Sequence, residues 1–306
     1  MHVIERAAAE RVIDARALVD HLEACHRQVR AKADLMVLVD PRPGSADCFL
    51  AVAGWQPGQA MALKFGSVMP ANAAEGLPTI NTMVALFEGR TGRPVALIDG
   101  HSVTNWKTAA DSALAQRHLA REGAKRLLMI GAGTLAPYLV KAHLAIRPSL
   151  DKVHVWNRTA PRALAMAAAL AESGIQASVV ADLEAAVRAA DVICAATMAE
   201  EPLIRGAWLR PGQHLDLVGS FQPHMREADK AALLAGRLFV DSRMTAGRVG
   251  EIIDAGEAAI EGDLYEICQG QGRRSAEEIT VFKNAGGGHL DLMTAEFIAQ
   301  RMGLMG

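Results

Sequence analysis

The stretch Arg126-Leu127-Leu128-Met129-Ile130-Gly131-Ala132-Gly133-Thr134-Leu135-Ala136 constrains the fold more than any other part of the chain. An apolar run of strand length enters a glycine turn that opens a helix. About twenty residues on, a second strand pattern, Val153-His154-Val155-Trp156, ends in Asn157-Arg158-Thr159. Strand, G-x-G-x-x-A, helix and strand in this order are the parts of a dinucleotide site. Gly131 permits the tight turn. Gly133 carries no side chain, so a pyrophosphate can approach the backbone amides of Thr134 and Leu135 at the helix start. Ala136 is small enough for the helix to lie close on the sheet.

The end of the second strand selects the dinucleotide. An acid there would accept hydrogen bonds from the ribose hydroxyls and repel a 2′-phosphate. This chain offers Asn157, Arg158 and Thr159 instead, and an arginine pairs bidentately with phosphate. NADPH is therefore the expected cofactor, with NADH as the alternative.

With 306 residues the chain exceeds one ordinary domain, and a formal net charge of −2 gives no electrostatic case for nucleic acid or an anionic membrane. No apolar run reaches membrane-spanning length, and Met1-His2-Val3-Ile4-Glu5-Arg6 does not resemble a secretory signal, so a cytoplasmic location is expected. Cys25, Cys48, Cys194 and Cys268 are scattered and read as free thiols. His21 and His26 lie five apart, the wrong spacing for a shared metal face, and no other histidine is placed near a cysteine or an acidic cluster at ligand spacing. No metal site is expected.

Hydrophobic periodicity predicts a helix from about Asp14 to Ala31, with Leu18, Leu22 and Cys25 on its apolar side. Strand-like runs follow at Leu35–Val39, Cys48–Ala53, Met61–Val68, Met83–Phe87 and Val95–Ile98, too closely spaced for intervening helices, which implies an antiparallel sheet. A helix over Thr104–Leu119 leads to strict β-α-β alternation. Strands are expected at Arg126–Ile130, Lys152–Trp156, Ala177–Val180, Val192–Ala195, His214–Val218 and Leu238–Val240. This is an α/β pattern, a doubly wound parallel Rossmann sheet. Ile279–Lys283 and a last helix, His289–Met302, follow it. The expected division is a dinucleotide-binding domain over 121–285 and an α+β substrate and dimerisation domain over 1–120, completed by 286–306.

Strand ends on the carboxyl side of such a sheet face the cofactor, which nominates Thr197, Gly219 and Ser220. Lys64 lies inside the apolar run Met61-Ala62-Leu63-Lys64-Phe65, and Lys107 among the small and apolar residues of Asn105-Trp106-Lys107-Thr108-Ala109-Ala110. A lysine in such surroundings must snorkel, find an anion or lose its charge.

Lys64 with Pro70-Ala71-Asn72 and Gly76-Leu77-Pro78-Thr79, then Gly92-Arg93-Pro94-Val95-Ala96-Leu97-Ile98-Asp99-Gly100 and Thr108-Ala109-Ala110-Asp111-Ser112-Ala113-Leu114-Ala115, resembles the ornithine cyclodeaminase / μ-crystallin family. The similarity continues through the glycine turn and Val155-Trp156-Asn157-Arg158-Thr159 to Ile279-Thr280-Val281-Phe282-Lys283-Asn284. The resemblance implies a homodimer joined through the substrate-domain sheets. It makes Lys64 the catalytic and substrate-binding residue, and it adds Thr79, Lys107, Thr108, Val218, Phe221 and Asn284 to the cofactor contacts.

Departures from the family pattern narrow the reaction. The catalytic aspartate of the cyclodeaminases is matched here by Phe221, in Gly219-Ser220-Phe221-Gln222-Pro223-His224-Met225-Arg226-Glu227. Phenylalanine exchanges no proton, so ring-closing deamination loses its acid/base group. His224, Glu227 or Asp229 offers a substitute group, though Glu227 and Asp229 read as the first turn of a helix. The family's carboxylate-binding arginine falls near Asp40, which nominates Arg42. The arginine before Thr-Ala-Ala is replaced by Lys107, which keeps charge and loses the planar fork. The leading expectation is NADPH-dependent reduction of a small cyclic imino acid, Δ1-pyrroline-2-carboxylate to proline, with the six-membered Δ1-piperideine-2-carboxylate as a second substrate. The alternatives are an NAD-recycling ornithine cyclodeaminase and a non-catalytic NADPH-binding protein of the crystallin kind.

Overall fold

The computed structural model describes residues 1–305. In chain order the elements are β1 (His2–Ile4), α1 (Arg6–Val12), α2 (Ala15–His26), β2 (Lys32–Val39), β3 (Cys48–Gln56), β4 (Ala60–Val68), β5 (Ile80–Glu88), β6 (Pro94–Asp99) and α3 (Gly100–Leu119). Then come β7 (Arg126–Ile130), α4 (Ala136–Ile146), β8 (Lys152–Trp156), α5 (Ala160–Glu172), β9 (Ala177–Val179), α6 (Leu183–Ala189), β10 (Val192–Ala195) and β11 (His214–Leu217). The remainder is α7 (Lys230–Leu233), β12 (Arg237–Val240), α8 (Arg243–Ala246), α9 (Gly250–Ala255), β13 (Ile260–Asp263), α10 (Leu264–Cys268), β14 (Thr280–Lys283) and α11 (Gly288–Arg301). Two compact units result: Met1–Lys107 with the chain from Gly287 onward, and Thr108–Gly286.

The first unit is built on a six-stranded sheet in the order β1-β6-β5-β4-β3-β2, antiparallel except for β1 beside β6. Helix α2 starts where the Asp14 carboxylate accepts the Ala17 N–H at 2.8 Å. Its apolar side buries Leu18, Leu22 and Cys25 as the spacing requires. It stops at His26, short of the expected Ala31, because the Arg27 N–H closes the last turn onto Glu23 and Cys25. Strand β2 then begins at Lys32 and pairs with β3 along its whole length, Lys32 with Trp55 through Val39 with Cys48.

Helix α11 lies on this sheet, and residues Gly288 to Ala299 are all buried. A glycine pair permits the close approach: a Cβ on Gly54 of β3 would lie 2.4 Å from the Gly288 carbonyl oxygen, and one on Gly288 would lie 2.4 Å from that of Ala53. The first turn of α11 thereby delivers His289 and Asp291 to the sheet.

The second unit is an eight-stranded, wholly parallel sheet in the order β13-β12-β14-β11-β10-β7-β8-β9. The six strands read from the sequence are all present. Two corrections apply. Residues 279–283 do not merely follow the sheet: β14 is inserted between β11 and β12, where a fully buried Thr-Val-Phe-Lys run belongs. Strand β13, whose acidic Ile-Glu-Gly-Asp sequence gives no strand signal, forms one edge. Val-, Ile- and Leu-rich strand interiors (Leu128, Ile130, Ile193, Leu215, Leu217, Val281) form the core.

Candidate active site

In the second unit the glycine turn has the geometry its sequence demands. Gly131 adopts φ 106°, and a Cβ there would meet the Ala196 carbonyl oxygen at 2.4 Å. Its N–H bonds the Trp156 carbonyl at 2.9 Å, and the Ala132 N–H reaches Asn157 Oδ1 at 3.2 Å, tying the turn to the end of β8. A Cβ on Gly133 would meet nothing within 4 Å. Helix α4 begins without a side-chain cap at Leu135, so the amides of its first turn can serve an anionic ligand. Ala136 is fully buried, as close packing needs. Arg158 is exposed and makes no ion pair or hydrogen bond with any described residue, whereas Asn157 braces the turn through its carboxamide to the Thr159 carbonyl. Open space, uncapped amides and an uncommitted arginine at the second strand end fit a dinucleotide.

The other strand ends are fastened by a residue that sequence reasoning set aside. Glu227 is fully buried. Its Oε1 accepts the Thr197 N–H at 2.6 Å and the Thr197 hydroxyl at 2.9 Å, while its Oε2 accepts the Gly219 N–H at 2.6 Å. The loops after β10 and β11 are thus clamped by one carboxylate. Gly219 must be glycine, since a Cβ would lie 2.0 Å from the Thr197 carbonyl oxygen. Behind the clamp, Glu251 of α9 accepts the N–H groups of Glu227 at 2.8 Å and Ala228 at 3.1 Å, and its second oxygen lies 3.0 Å from Lys283 Nζ. Burial pushes the Glu227 carboxyl up to about 7; the Lys283 charge opposes this and Glu251 reinforces it. Val218 and Ser220 are buried beside the clamp, whereas Phe221 is 47 % exposed in the loop. Asn284 donates to the Thr108 carbonyl and the Ser112 hydroxyl, both at 3.2 Å, so Thr108 and Asn284 lie together.

In the first unit Lys64 does not snorkel. Its Nζ meets Asp291 Oδ1 at 3.0 Å and Oδ2 at 2.8 Å, with 13 % of the lysine side chain and 2 % of the aspartate exposed. Burial lowers the Lys64 pKa, Asp291 works against that, and Lys107 adds to it. Lys107 is itself 5 % exposed. His289 is pushed well below the ordinary histidine range by burial, with His26, Lys107 and Arg30 acting in the same direction. A cationic group of buried lysines, neutral His289 and one carboxylate therefore converges where α11 meets β4. Thr79 is half-buried and accepts the Met69 N–H through its carbonyl at 2.7 Å.

Arg42 lies apart from Lys64. It lies in the exposed turn after β2, bonded to Asp40 and facing Asp47, beyond the row that pairs Val39 with Cys48 and Cys48 with Val68. Lys64 pairs with Val52, four rows away. A correction concerns metal-capable clusters. His21 and Cys25 are one helical turn apart and meet Glu296, and His143, Cys194 and Asp216 meet in the second unit. Spacing between histidines alone did not reveal either group.

A parallel Rossmann sheet with a dinucleotide turn, joined in one chain to a sheet carrying buried lysines, defines a dinucleotide-binding class of protein. The model of the ornithine cyclodeaminase/mu-crystallin family matches residues 6–303, and the chain belongs to that family. It is 46 % identical over 259 residues to a Delta(1)-pyrroline-2-carboxylate reductase of Paracoccus denitrificans, covering 81 % of each chain. It is also similar to the structure of Thermococcus litoralis Delta(1)-pyrroline-2-carboxylate reductase in complex with NADH and L-proline, at TM-score 0.90 and 28 % identity over 98 % of this chain and 97 % of that one. An archaeal alanine dehydrogenase dimer with bound NAD superposes at TM-score 0.88 and 25 % identity, over 98 % of this chain and 95 % of that one.

Proposed function

We propose that this protein reduces Δ1-pyrroline-2-carboxylate to proline with NADPH, and accepts the six-membered homologue as a second substrate. The broader class, an NAD(P)H-dependent imine reductase acting on a CH–NH bond, is that of its pyrroline-carboxylate relatives. The observation that carries the reading is the buried Lys64–Asp291 pair beside Lys107: a fixed cationic centre is what a small carboxylate needs for orientation. Lys64 keeps a hydrogen-bond donor beyond those given to Asp291, and Lys107 adds charge.

When bound, the nicotinamide supplies the hydride to the C=N carbon. The imine must be protonated for that transfer, so that the nitrogen leaves as a neutral amine. The chain contributes position and charge: Lys64 and Lys107 hold the carboxylate, and Glu227 fixes the loops of Thr197 and Gly219 on the cofactor side. Arg158, free of protein partners, supports the phosphorylated dinucleotide.

The sheet face opposite Lys64 supports a homodimer. Register places Met36, Leu38, Phe49, Trp55 and Leu63 there, all exposed. Light scattering should return twice the chain mass of 32.5 kDa. A panel of cyclic imino acids, ornithine and linear keto acids, followed by NADPH absorbance and ammonia release, tests the reaction. Net NADPH oxidation with the five-membered imine is expected. Ammonia from ornithine without net oxidation, or silence on every substrate, overturns it.

A further inference from the structure

A second polar concavity opens in the first unit on the side of α2 and α11. It has a volume of about 620 Å³, and His21, Cys25 and Glu296 line it together with Gln59, Arg93 and Gln300. His21 and Cys25 occupy successive turns of α2, and Glu296 comes from α11, so two packed helices supply one nitrogen, one sulfur and one carboxylate. His21 Nε2 lies 3.5 Å from Cys25 Sγ and 4.0 Å from Glu296 Oε2, and all three donor atoms fall within 4.8 Å of one another. From these positions we propose that His21, Cys25 and Glu296 form a binding site for one zinc-class divalent cation, with the fourth coordination position open to the cavity.

Geometry and charge both support this. A tetrahedral zinc ion with bonds of about 2.0–2.3 Å sets its donor atoms roughly 3.3–3.6 Å apart. The nitrogen and sulfur already stand at that separation, and a small torsion of the glutamate side chain brings in the oxygen. The imidazole also hydrogen-bonds to the Met293 backbone, which orients the ring as an outer partner orients a ligating histidine. Glu296 is 8 % exposed, with the His21 ring at 4.0 Å and the Cys25 thiol as its neighbours in the cluster. A carboxylate so desolvated lacks a cation.

Burial pushes the Cys25 thiol up to about 12, with Glu296 adding to it, raises Glu296 and lowers His21. A divalent cation takes one thiolate, one carboxylate and a neutral imidazole, the thiol proton and any proton on the carboxyl leave to solvent, and the loaded site carries no net charge. Mixed nitrogen, sulfur and oxygen donors suit zinc rather than magnesium or calcium. The group His143, Cys194 and Asp216 is different: its carboxylate already accepts the Ser112 hydroxyl at 3.0 Å and the Cys194 thiol at 3.1 Å, and all three residues are fully buried.

Tag-free, reduced full-length protein is stripped with chelator and titrated with Co²⁺, whose thiolate charge-transfer band reports sulfur ligation directly. One equivalent should develop the band, and Zn²⁺ should abolish it. Cys25→Ser should remove it, and Glu296→Gln, which keeps shape and fold, should weaken Co²⁺ binding at least tenfold. Absence of the band in the unmodified protein overturns the proposal. So does a band that persists in Cys25→Ser, or one of unchanged affinity in Glu296→Gln. Imine reduction is measured on the same samples, so failure of the metal site and failure of the proposed reaction are read separately.

Discussion

Each unit of this molecule buries a lysine against carboxylates, and the two arrangements differ in what remains to be satisfied. Lys283 is fully buried beside Glu251, with Glu227 next in line, and the acids spend their other capacity on backbone amides of the loops they clamp. Lys64 meets a single carboxylate, keeps 13 % of its side chain exposed, and has a second lysine as neighbour. The first arrangement encloses its lysine beside two loop-clamping acids, although Lys283 Nζ and Glu251 Oε2 make no hydrogen bond, and the second carries surplus positive charge. A closed cluster holds loops still; a cluster with surplus charge recruits an anion. Buried ion pairs add little net stability in themselves, but removing one member of a pair is costly, because it strands the other.

The largest effect should follow from opening the closed cluster. Lys283→Met leaves two buried carboxylates without their cation, and a stability loss of about 3–5 kcal/mol is expected in urea unfolding. A loss below about 1 kcal/mol would mean that the acids are neutral without the lysine, and the contrast drawn above would fail.

Lys64→Met tests the other side. Here kcat/KM for the imino acid should fall by roughly a hundredfold or more, as for a truncated charge pair, while NADPH binding persists. Near wild-type turnover would reduce Lys64 to a strand residue that happens to find an aspartate. The pH profile sharpens the point. Burial lowers the Lys64 pKa from 10.5 and Asp291 holds it up, so activity should decline on the alkaline side before 10.5. Asp291→Asn removes the supporting charge and should move that decline to still lower pH.

How legible these two arrangements were in the sequence differs for a physical reason. The glycine turn, six strands of the parallel sheet and Arg158 are consequences of neighbours in the chain, and local patterning exposes them. Lys64 announced itself as a charge inside an apolar run, but Asp291 lies at the other end of the chain on a helix that a glycine pair draws onto the strand. Glu227 was hidden by its position after a loop, where an acid reads as a helix-start residue; only the structure shows it accepting from Thr197 and Gly219. Glu251 and Lys283 look like ordinary charges until burial couples them. Arg42 is distant from Lys64 for the opposite reason, because counting back from Lys64 ignores the length of the turn between β2 and β3. His21 and Cys25 had the spacing of one helical turn in plain view, yet their third member comes from α11.

Arg158 belongs to the cofactor half and should give a smaller, selective effect. Arg158→Ala is expected to raise KM for NADPH by about 1.5–3 kcal/mol, roughly ten- to a hundredfold, with NADH nearly unchanged. Its freedom from protein partners predicts that the fold is unaffected, which a thermal melt checks. Equal losses with both dinucleotides would show that Arg158 does not read the 2′-phosphate.

The smallest effect is expected at Phe221, at the edge of the clamped loop. It is 47 % exposed, so Phe221→Ala should leave stability within about 0.5 kcal/mol of the unmodified protein. Its importance lies in the chemistry it withholds. A phenyl ring accepts no proton from an amine and activates no water, so the unmodified enzyme should release no ammonia from ornithine even with saturating NAD. Phe221→Asp places a new carboxylate in a loop whose neighbouring residues, Val218 and Ser220, are buried against the Glu227 clamp. Imine reduction should weaken, because uncompensated negative charge there opposes a second acid close by. If the unmodified enzyme instead converts ornithine to proline, proton transfer must come from another acid. Asp229 would then be the weaker candidate, because its carboxylate already accepts the Gly206 and Ala232 N–H groups at 2.9 and 2.8 Å. That leaves His224, whose side chain is 64 % exposed in the same loop, as the group to replace first.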